Sequence, residues 1–265
     1  LKIKIFIVTY RNEELLKNNI ESILNSDVKN KNFEIVVVNN YTTEFHLQNY
    51  CDTNAVKVLH NYLRPDFSTG HLSRSWNQCI INGFKSLTNP DCDILVLAQD
   101  DNLFLPHWSS YLIEAHTTLD FITMGGGDQF HSYKPEHIKK VGLWDERFCN
   151  IGYQEYDYFI RSYIYNKQKI SINDVKHKRT YNEIKNNIIN DSDYLIGGMR
   201  NDQRHLNSVT YHSISRNVLF AKWGDAAEPW NTSKLDEINK SNILNFIYYP
   251  YFEKDIDTTN KNYMV

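Results

Sequence analysis

Cysteine is scarce in this chain and unpatterned: Cys51, Cys79, Cys92 and Cys149 are the only four in 265 residues, with no CxxC or Cys/His spacing. That argues against a structural zinc site or a disulfide framework and makes reduced thiols in a cytoplasmic protein the expectation. Long hydrophobic runs are missing as well. No apolar segment approaches the ~20 residues of a bilayer-spanning helix, and the N-terminus shows no signal-peptide pattern. Nor is charge of one sign in excess: a formal net charge of -3 argues against bulk attraction to nucleic acid or an anionic membrane, leaving room for a local basic pocket for phosphate. Glycine-rich phosphate loops are also absent. Neither GxGxxG nor GxxxxGK(S/T) follows any apolar run, which disfavours a Rossmann dehydrogenase and a P-loop enzyme.

What remains is ordinary for a folded protein, with 41% apolar and 23% charged residues, enough for one substantial core or two small ones. Lys2 to Val8 has a strand pattern, Glu13 to Leu24 places Leu15, Leu16, Ile20, Ile23 and Leu24 at helical spacing, and Phe33 to Val38 is a second apolar strand. This is a βαβ pattern. Val56 to Leu59 reads as a short strand, Leu72 to Leu87 as a helix with Trp76, Ile80, Ile81 and Phe84 on one side, and Ile94 to Ala98 as the next strand. Such alternation predicts an α/β fold with a mostly parallel sheet and right-handed crossovers. The loops Thr9-Tyr10-Arg11-Asn12, Asn39-Asn40-Tyr41 and Gln99-Asp100-Asp101-Asn102 would then open on one edge, where open α/β sheets bind ligands.

The sharpest feature is the apolar run Ile94 to Ala98 ending at Asp100-Asp101. Two readings stand side by side: paired carboxylates holding a hard divalent cation against substrate phosphates, or a plain cap and turn. Other residues carry similar pairs of readings. Gly125-Gly126-Gly127-Asp128 is either a turn or a loop that lets backbone approach a ligand. Glu155 and Asp157 are acids in the first turn of a helix beginning near Tyr153, with Arg161 as the i,i+4 partner of Asp157, or else they do acid-base chemistry.

Taken in order, Thr9-Tyr10-Arg11-Asn12, Asn39-Asn40, Ser73-Arg74-Ser75-Trp76-Asn77 and Gln99-Asp100-Asp101 resemble the nucleotide-binding half of GT-A glycosyltransferases, the family 2 group in particular. Val141-Gly142-Leu143-Trp144-Asp145-Glu146-Arg147-Phe148 and Gly152 to Arg161 are similar to the acceptor-side signature of the same enzymes. The resemblance runs over about residues 3 to 180. It implies a GT-A fold with a nucleotide-sugar-binding half over residues 1–110, an acceptor-binding and catalytic half over 111–225 and a tail over 226–265. The implied reaction is hexosyl transfer from a nucleoside diphosphate sugar, UDP type favoured, to a hydroxyl of a glycan acceptor, inverting and dependent on Mn or Mg.

The resemblance also assigns roles position by position. Thr9, Tyr10, Arg11, Asn39, Arg74, Asn77 and Asp100 border the nucleotide, with Asn39 standing where the family usually has an aspartate; Arg11 reads equally as a solvated loop charge, and Arg74 and Asn77 as an exposed helix face. Gln99 replaces the first acid of the family's Asp-x-Asp, so Asp101 holds the metal. His177 is the implied further ligand, with His212 as the runner-up. Glu155 is the base that takes the acceptor proton, with Asp157 orienting the acceptor or serving instead. Trp144 stacks on a sugar face and Asp145 bonds its hydroxyls, or both simply pack and cap a turn. Asp128 lies near the donor sugar, and Asn182 to Asp202 forms a surface loop or one that closes over the donor. Arg216 and Lys222 meet phosphate or decorate a helix. Two alternatives stay open: a sugar nucleotidyltransferase, disfavoured because Thr9 to Asn12 is not a glycine-rich arginine-containing loop, and a degenerate GT-A domain acting as a carbohydrate-binding module. Oligomeric state leaves no signature.

Overall fold

The computed structural model describes residues 1–41, 45–61, 72–124, 129–148, 152–166, 195–196 and 208–224. In chain order the elements are β1 (Lys2–Thr9), α1 (Glu13–Leu24), a 3₁₀ turn (Asp27–Asn30), β2 (Asn32–Asn39), α2 (Gln48–Thr53), β3 (Lys57–His60), α3 (Leu72–Phe84) and β4 (Ile94–Gln99). They continue with β5 (Leu103–Phe104), α4 (Trp108–Ala115), β6 (Phe121–Met124), β7 (Phe130–Tyr133), α5 (Pro135–Val141), α6 (Tyr153–Asn166), β8 (Leu195–Ile196) and α7 (Ser208–Trp223). The chain divides into two interleaved units. The first takes Leu1–Asp66, Asp91–Lys134 and His177–Asp202, the second Phe67–Pro90, Pro135–Lys176 and Gln203–Val265.

The first unit is built on a six-stranded sheet of order β3-β2-β1-β4-β7-β6. β1 lies between β2 and β4 and is parallel to both, β3 is parallel to β2, and β7 runs antiparallel to β4 and β6. The fold is therefore α/β with a mixed, mostly parallel sheet, as the alternation predicts. A central parallel strand must be apolar on both faces. In β1, Ile3, Ile5 and Ile7 are buried, and so are Phe6 and Val8 between them. Ile35 and Val37 of β2 and Ile94, Val96 and Ala98 of β4 continue one face of this core, joined by Leu16, Ile20 and Ile23 of α1 and Trp108 and Leu112 of α4.

Local chemistry explains the element ends. Asn12 caps α1 by accepting the Leu15 N–H, and Glu13 and Glu14 occupy its first turn, where the helix dipole favours negative charge. Asp27 caps α4 from the 3₁₀ turn, accepting from the backbone N–H and the hydroxyl of both Ser109 and Ser110. The helix expected to Leu87 stops at Phe84 because Lys85 turns left-handed, φ 60°. β6 and β7 escape the apolar pattern: β7 buries His131 and Ser132 between Phe130 and Tyr133.

Register positions the polar edge. Thr9 pairs with Asn39, Asn39 with His60, and Val8 with Gln99, so the carboxyl ends of four parallel strands align in one row. In the second unit, α6 packs on α5 and α7. Among the described residues no helix is long and apolar enough to cross a membrane.

Candidate functional site

The row of strand ends in the first unit is knitted by side chains. The Thr9 hydroxyl donates to Asp100 Oδ2 at 2.6 Å, and the Tyr10 N–H reaches the same oxygen at 3.4 Å. Asn40 donates its N–H to the Thr9 carbonyl at 3.0 Å. Asn39 uses both ends of its amide: Oδ1 accepts the Tyr41 N–H at 3.0 Å, and Nδ2 lies 3.2 Å from His60 Nδ1. With Nδ1 as the acceptor the Asn39 amide donates to it, a contact that an aspartate would make only with the other tautomer or an imidazolium. With Nδ1 accepting, His60 Nε2–H donates to Gln48 Oε1 at 3.2 Å. Asn61 completes the row by donating from Nδ2 to Asn40 Oδ1 at 2.7 Å.

Above this row stands an aromatic and cationic shelf. The rings of Tyr10 and Tyr41 meet edge to face at 5.6 Å. The Arg11 guanidinium sits 4.0 Å from the Tyr41 ring centroid and 5.4 Å from that of Tyr10, and its Nη2 donates to the Tyr41 hydroxyl at 2.8 Å. Arg11 is exposed and takes φ 54°, a left-handed conformation unfavourable for a bulky side chain, of a kind that clusters at ligand sites. The sequence names Tyr10 and Arg11 as candidates, and the structure adds Tyr41 and His60 to their surroundings. Tyr41 was legible as part of a polar strand-end loop. His60 had no signal, being a lone histidine at the end of a four-residue strand.

Asp100 and Asp101 follow β4 directly, at 0% and 5% exposure. Asn102 and Asn19 both donate to the Gln99 carbonyl, at 2.9 and 3.0 Å, and Asn102 also donates to the Gln129 carbonyl at 2.8 Å. The turn carrying the two acids is thus held by its backbone. Carboxylate oxygens are the donor type that Mg and Mn prefer. Among the described residues no three His, Cys, Asp or Glu side chains gather to hold a metal. The donors fit a cation that keeps waters and leans on substrate phosphate, the usual manner of Mg²⁺, rather than an all-protein cage. His177 and Asp128 lie outside the described residues, as does Asn182 to Asp202 apart from 195–196. His212 falls in α7, outside the residues whose side chains are described.

The second unit places the other candidates. Arg74 and Asn77 share one face of α3, and both reach Glu146, Arg74 from Nε at 3.3 Å and Asn77 from Nδ2 at 2.9 Å. Asn77 also clamps the Trp144 backbone, donating to its carbonyl and accepting its N–H, both at 2.8 Å. Trp144 is fully buried and stacks on Tyr158, centroids 4.4 Å apart and 6° from parallel. Of its two readings it takes packing: the face expected to meet a sugar has no exposure. Asp145 is likewise committed, its carboxylate held by Arg147 and, at 2.9 Å, by Lys222.

Glu155 is in the first turn of α6, and its Oε2 accepts the Gly152 N–H, the reach-back of a capping box. Asp157 is fully buried: Arg161 Nε meets Oδ2 at 3.0 Å, while Trp223 Nε1 and Lys222 Nζ both meet Oδ1 at 2.8 Å. The expected Asp157 and Arg161 pair is therefore present. Lys222 is neither a phosphate contact here nor a surface decoration, because it is buried between two carboxylates. Burial would push the Asp145 carboxyl up, but Lys222 and Arg147 outweigh it and hold the group well below the carboxylate range. Burial pulls Lys222 below its usual value against the opposing pull of Asp157.

No protein-family model and no curated protein sequence matches the chain. Among solved structures it is similar to S. aureus TarS, at 14% identity and TM-score 0.45 over 62% of this chain and 56% of that one. It is also similar to the mannosyltransferase PcManGT from Pyrobaculum calidifontis, in complex with GDP-Man and Mn2+, at 11% identity and TM-score 0.43 over 60% and 52%. A third is glucosyl-3-phosphoglycerate synthase from Mycobacterium tuberculosis, in complex with Mn2+, UDP and phosphoglyceric acid, at 12% identity and TM-score 0.43 over 61% and 64%. The chain spans between half and two thirds of the length of these proteins. At such identities and scores the functional reading rests on the residues themselves.

Proposed function

We propose that this chain is a GT-A glycosyltransferase that moves a sugar from a nucleoside diphosphate donor, UDP type favoured, to a hydroxyl of a glycan acceptor in the cytoplasm. The observation that carries the reading is the strand-end row of the first unit: an exposed Arg11 lying over a half-buried Tyr41, backed by the buried Tyr10, beside Asp100 and Asp101. A nucleobase can stack on the guanidinium plane or the accessible part of the Tyr41 ring, and Arg11 offers a donor fork suited to an anion. Thr9 and the Tyr10 N–H would keep Asp100 in place for the ribose or the metal, leaving Asp101 as the principal cation donor. When bound there, Mn or Mg supplies neutralisation for the charge that builds on the leaving diphosphate.

From the second unit we assign the base to Glu155, which takes the acceptor proton as the oxygen attacks the anomeric carbon in line with the leaving group, inverting configuration. The Gly152 N–H fixes the direction of that carboxylate. Arg74 and Asn77 act on the donor side in the same reading, with Glu146 as their partner. A second reading, a domain that binds a nucleotide sugar without turning it over, is favoured by Gln99 in place of the first acid and by the capping bond of Glu155.

The deciding experiment is a nucleotide-sugar panel with and without Mn, scoring release of nucleoside diphosphate. Metal-dependent release with at least one donor is expected. Binding without release would select the second reading, and neither binding nor release across the panel would remove both.

A further inference from the structure

The buried ion cluster of the second unit contains one member whose work the others do not duplicate. Asp145 already has a counter-charge in Arg147, which donates from Nε and Nη2 to its carboxylate at 3.0 and 2.8 Å. Asp157 already has Arg161 and the Trp223 indole. Neither acid needs Lys222 for a partner. What Lys222 adds is a bridge, with Nζ 2.9 Å from Asp145 Oδ2 and 2.8 Å from Asp157 Oδ1 at 4% exposure. It thereby ties the end of α7 to both the loop after α5 and the first half of α6. Arg161 braces the same loop from the other side, donating from Nη1 to the Val141 and Leu143 carbonyls at 2.9 and 2.7 Å.

A buried ion pair is weak evidence for stability, since apolar replacements of similar volume are often neutral or better. Its use lies in fixing geometry, and the geometry here bears on α6, whose first turn presents Glu155 two residues before Asp157. We propose that Lys222 is a positioning residue for glycosyl transfer: by bridging Asp145 and Asp157 it holds the first turn of α6, and with it the Glu155 carboxylate, in register with the Trp144 to Glu146 loop. The inference rests on the glycosyltransferase reading above.

The test compares wild type, Lys222→Met, Lys222→Arg and Lys222→Gln, measuring transfer kcat, donor affinity and melting temperature. Lys222→Met leaves Asp145 with Arg147 and Asp157 with Arg161 and should lower kcat about 100-fold, the scale on which small misplacements act, while donor affinity stays within about twofold, because the lost interaction is made through positioning rather than donor binding. Lys222→Arg, which can still bridge two carboxylates, should recover part of the rate, and the shorter, neutral Lys222→Gln should recover less. If kcat merely follows melting temperature across the three variants, or stays at the wild-type level in Lys222→Met, Lys222 serves stability alone and the proposal is overturned. Should Lys222→Met fail to fold, Lys222→Arg and Lys222→Gln carry the test. A wild-type protein that turns over no nucleotide sugar would defeat the underlying function itself, a result seen before any variant is compared.

Discussion

Two acidic motifs that look alike in the sequence have opposite fates in the structure. Asp100 and Asp101 stand at a strand end in the first unit, where Asp100 is held by a hydroxyl and a backbone N–H. Asp145 and Asp157, in the second unit, are locked into Lys222, Arg147 and Arg161. A hydroxyl or a backbone N–H orients a carboxylate without cancelling its charge. Cationic side chains cancel that charge and turn the acid into a fastener. The difference teaches that an acid's function is set by the charge of what holds it, not by its burial, since all four are buried.

The largest effect should separate chemistry from fastening within α6 itself. Glu155→Gln preserves the shape and the oxygen that accepts the Gly152 N–H but removes the base, so transfer should fall roughly 100- to 10,000-fold, the range for general bases, with donor binding intact. Asp157→Asn should instead lower the melting temperature, and a fully active Glu155→Gln protein would move the base elsewhere. Next in size is Lys222→Met on its own. Both acids keep an arginine partner, so the loss of stability should stay below the about 3 to 5 kcal/mol of a buried charge left unpaired, read as a small shift of the urea midpoint; a loss of that full size would show that Lys222 balances the charge of the cluster.

A pH experiment probes the first unit away from its acids. His116 is buried, with Nδ1 2.8 Å from the Leu119 carbonyl and Nε2 2.7 Å from the Ser132 hydroxyl. The carbonyl must accept, so Nδ1 carries the hydrogen and Nε2 accepts from serine. Burial lowers its pKa from 6.5 to about 4, so on acidification the unfolded chain takes the proton first. Stability from this group is full above pH 6.5 and declines as pH falls toward 4, by about 3 kcal/mol in all. Urea unfolding across that window should show the decline, and His116→Gln should flatten it; an unchanged slope would remove the assignment. Smallest is Arg11→Gly. Glycine tolerates the left-handed backbone, so stability should hold or rise by at most about 1 kcal/mol, while loss of the cation beside Tyr41 should weaken donor binding about tenfold.

The fold was legible where one residue class repeats. Continuous apolar runs marked β1, β2 and β4, and α1 runs from Glu13 to Leu24 as its periodicity predicts, because Asn12 and two first-turn acids announce the start. β7 was not legible, since buried His131 and Ser132 read as surface residues without their partners. The polar edge could be inferred because strand direction alone sends Thr9, Asn39 and Gln99 to one row. Lys222 could not: it meets Asp145 across 77 residues of chain, a distance over which neither periodicity nor spacing carries information. Trp144 and Asp145 showed both roles in sequence, and only their stacking and ion pairs select one.

The central claim is that the strand edge of the first unit binds a nucleoside diphosphate together with a divalent cation held through Asp101. Calorimetric titration of UDP into wild type and Asp101→Asn, each with and without Mn, tests it most directly. Mn should tighten UDP binding to wild type by at least about tenfold, or 1.4 kcal/mol, and leave binding to Asp101→Asn nearly unchanged. Equal tightening in both proteins, or none in wild type, would contradict it.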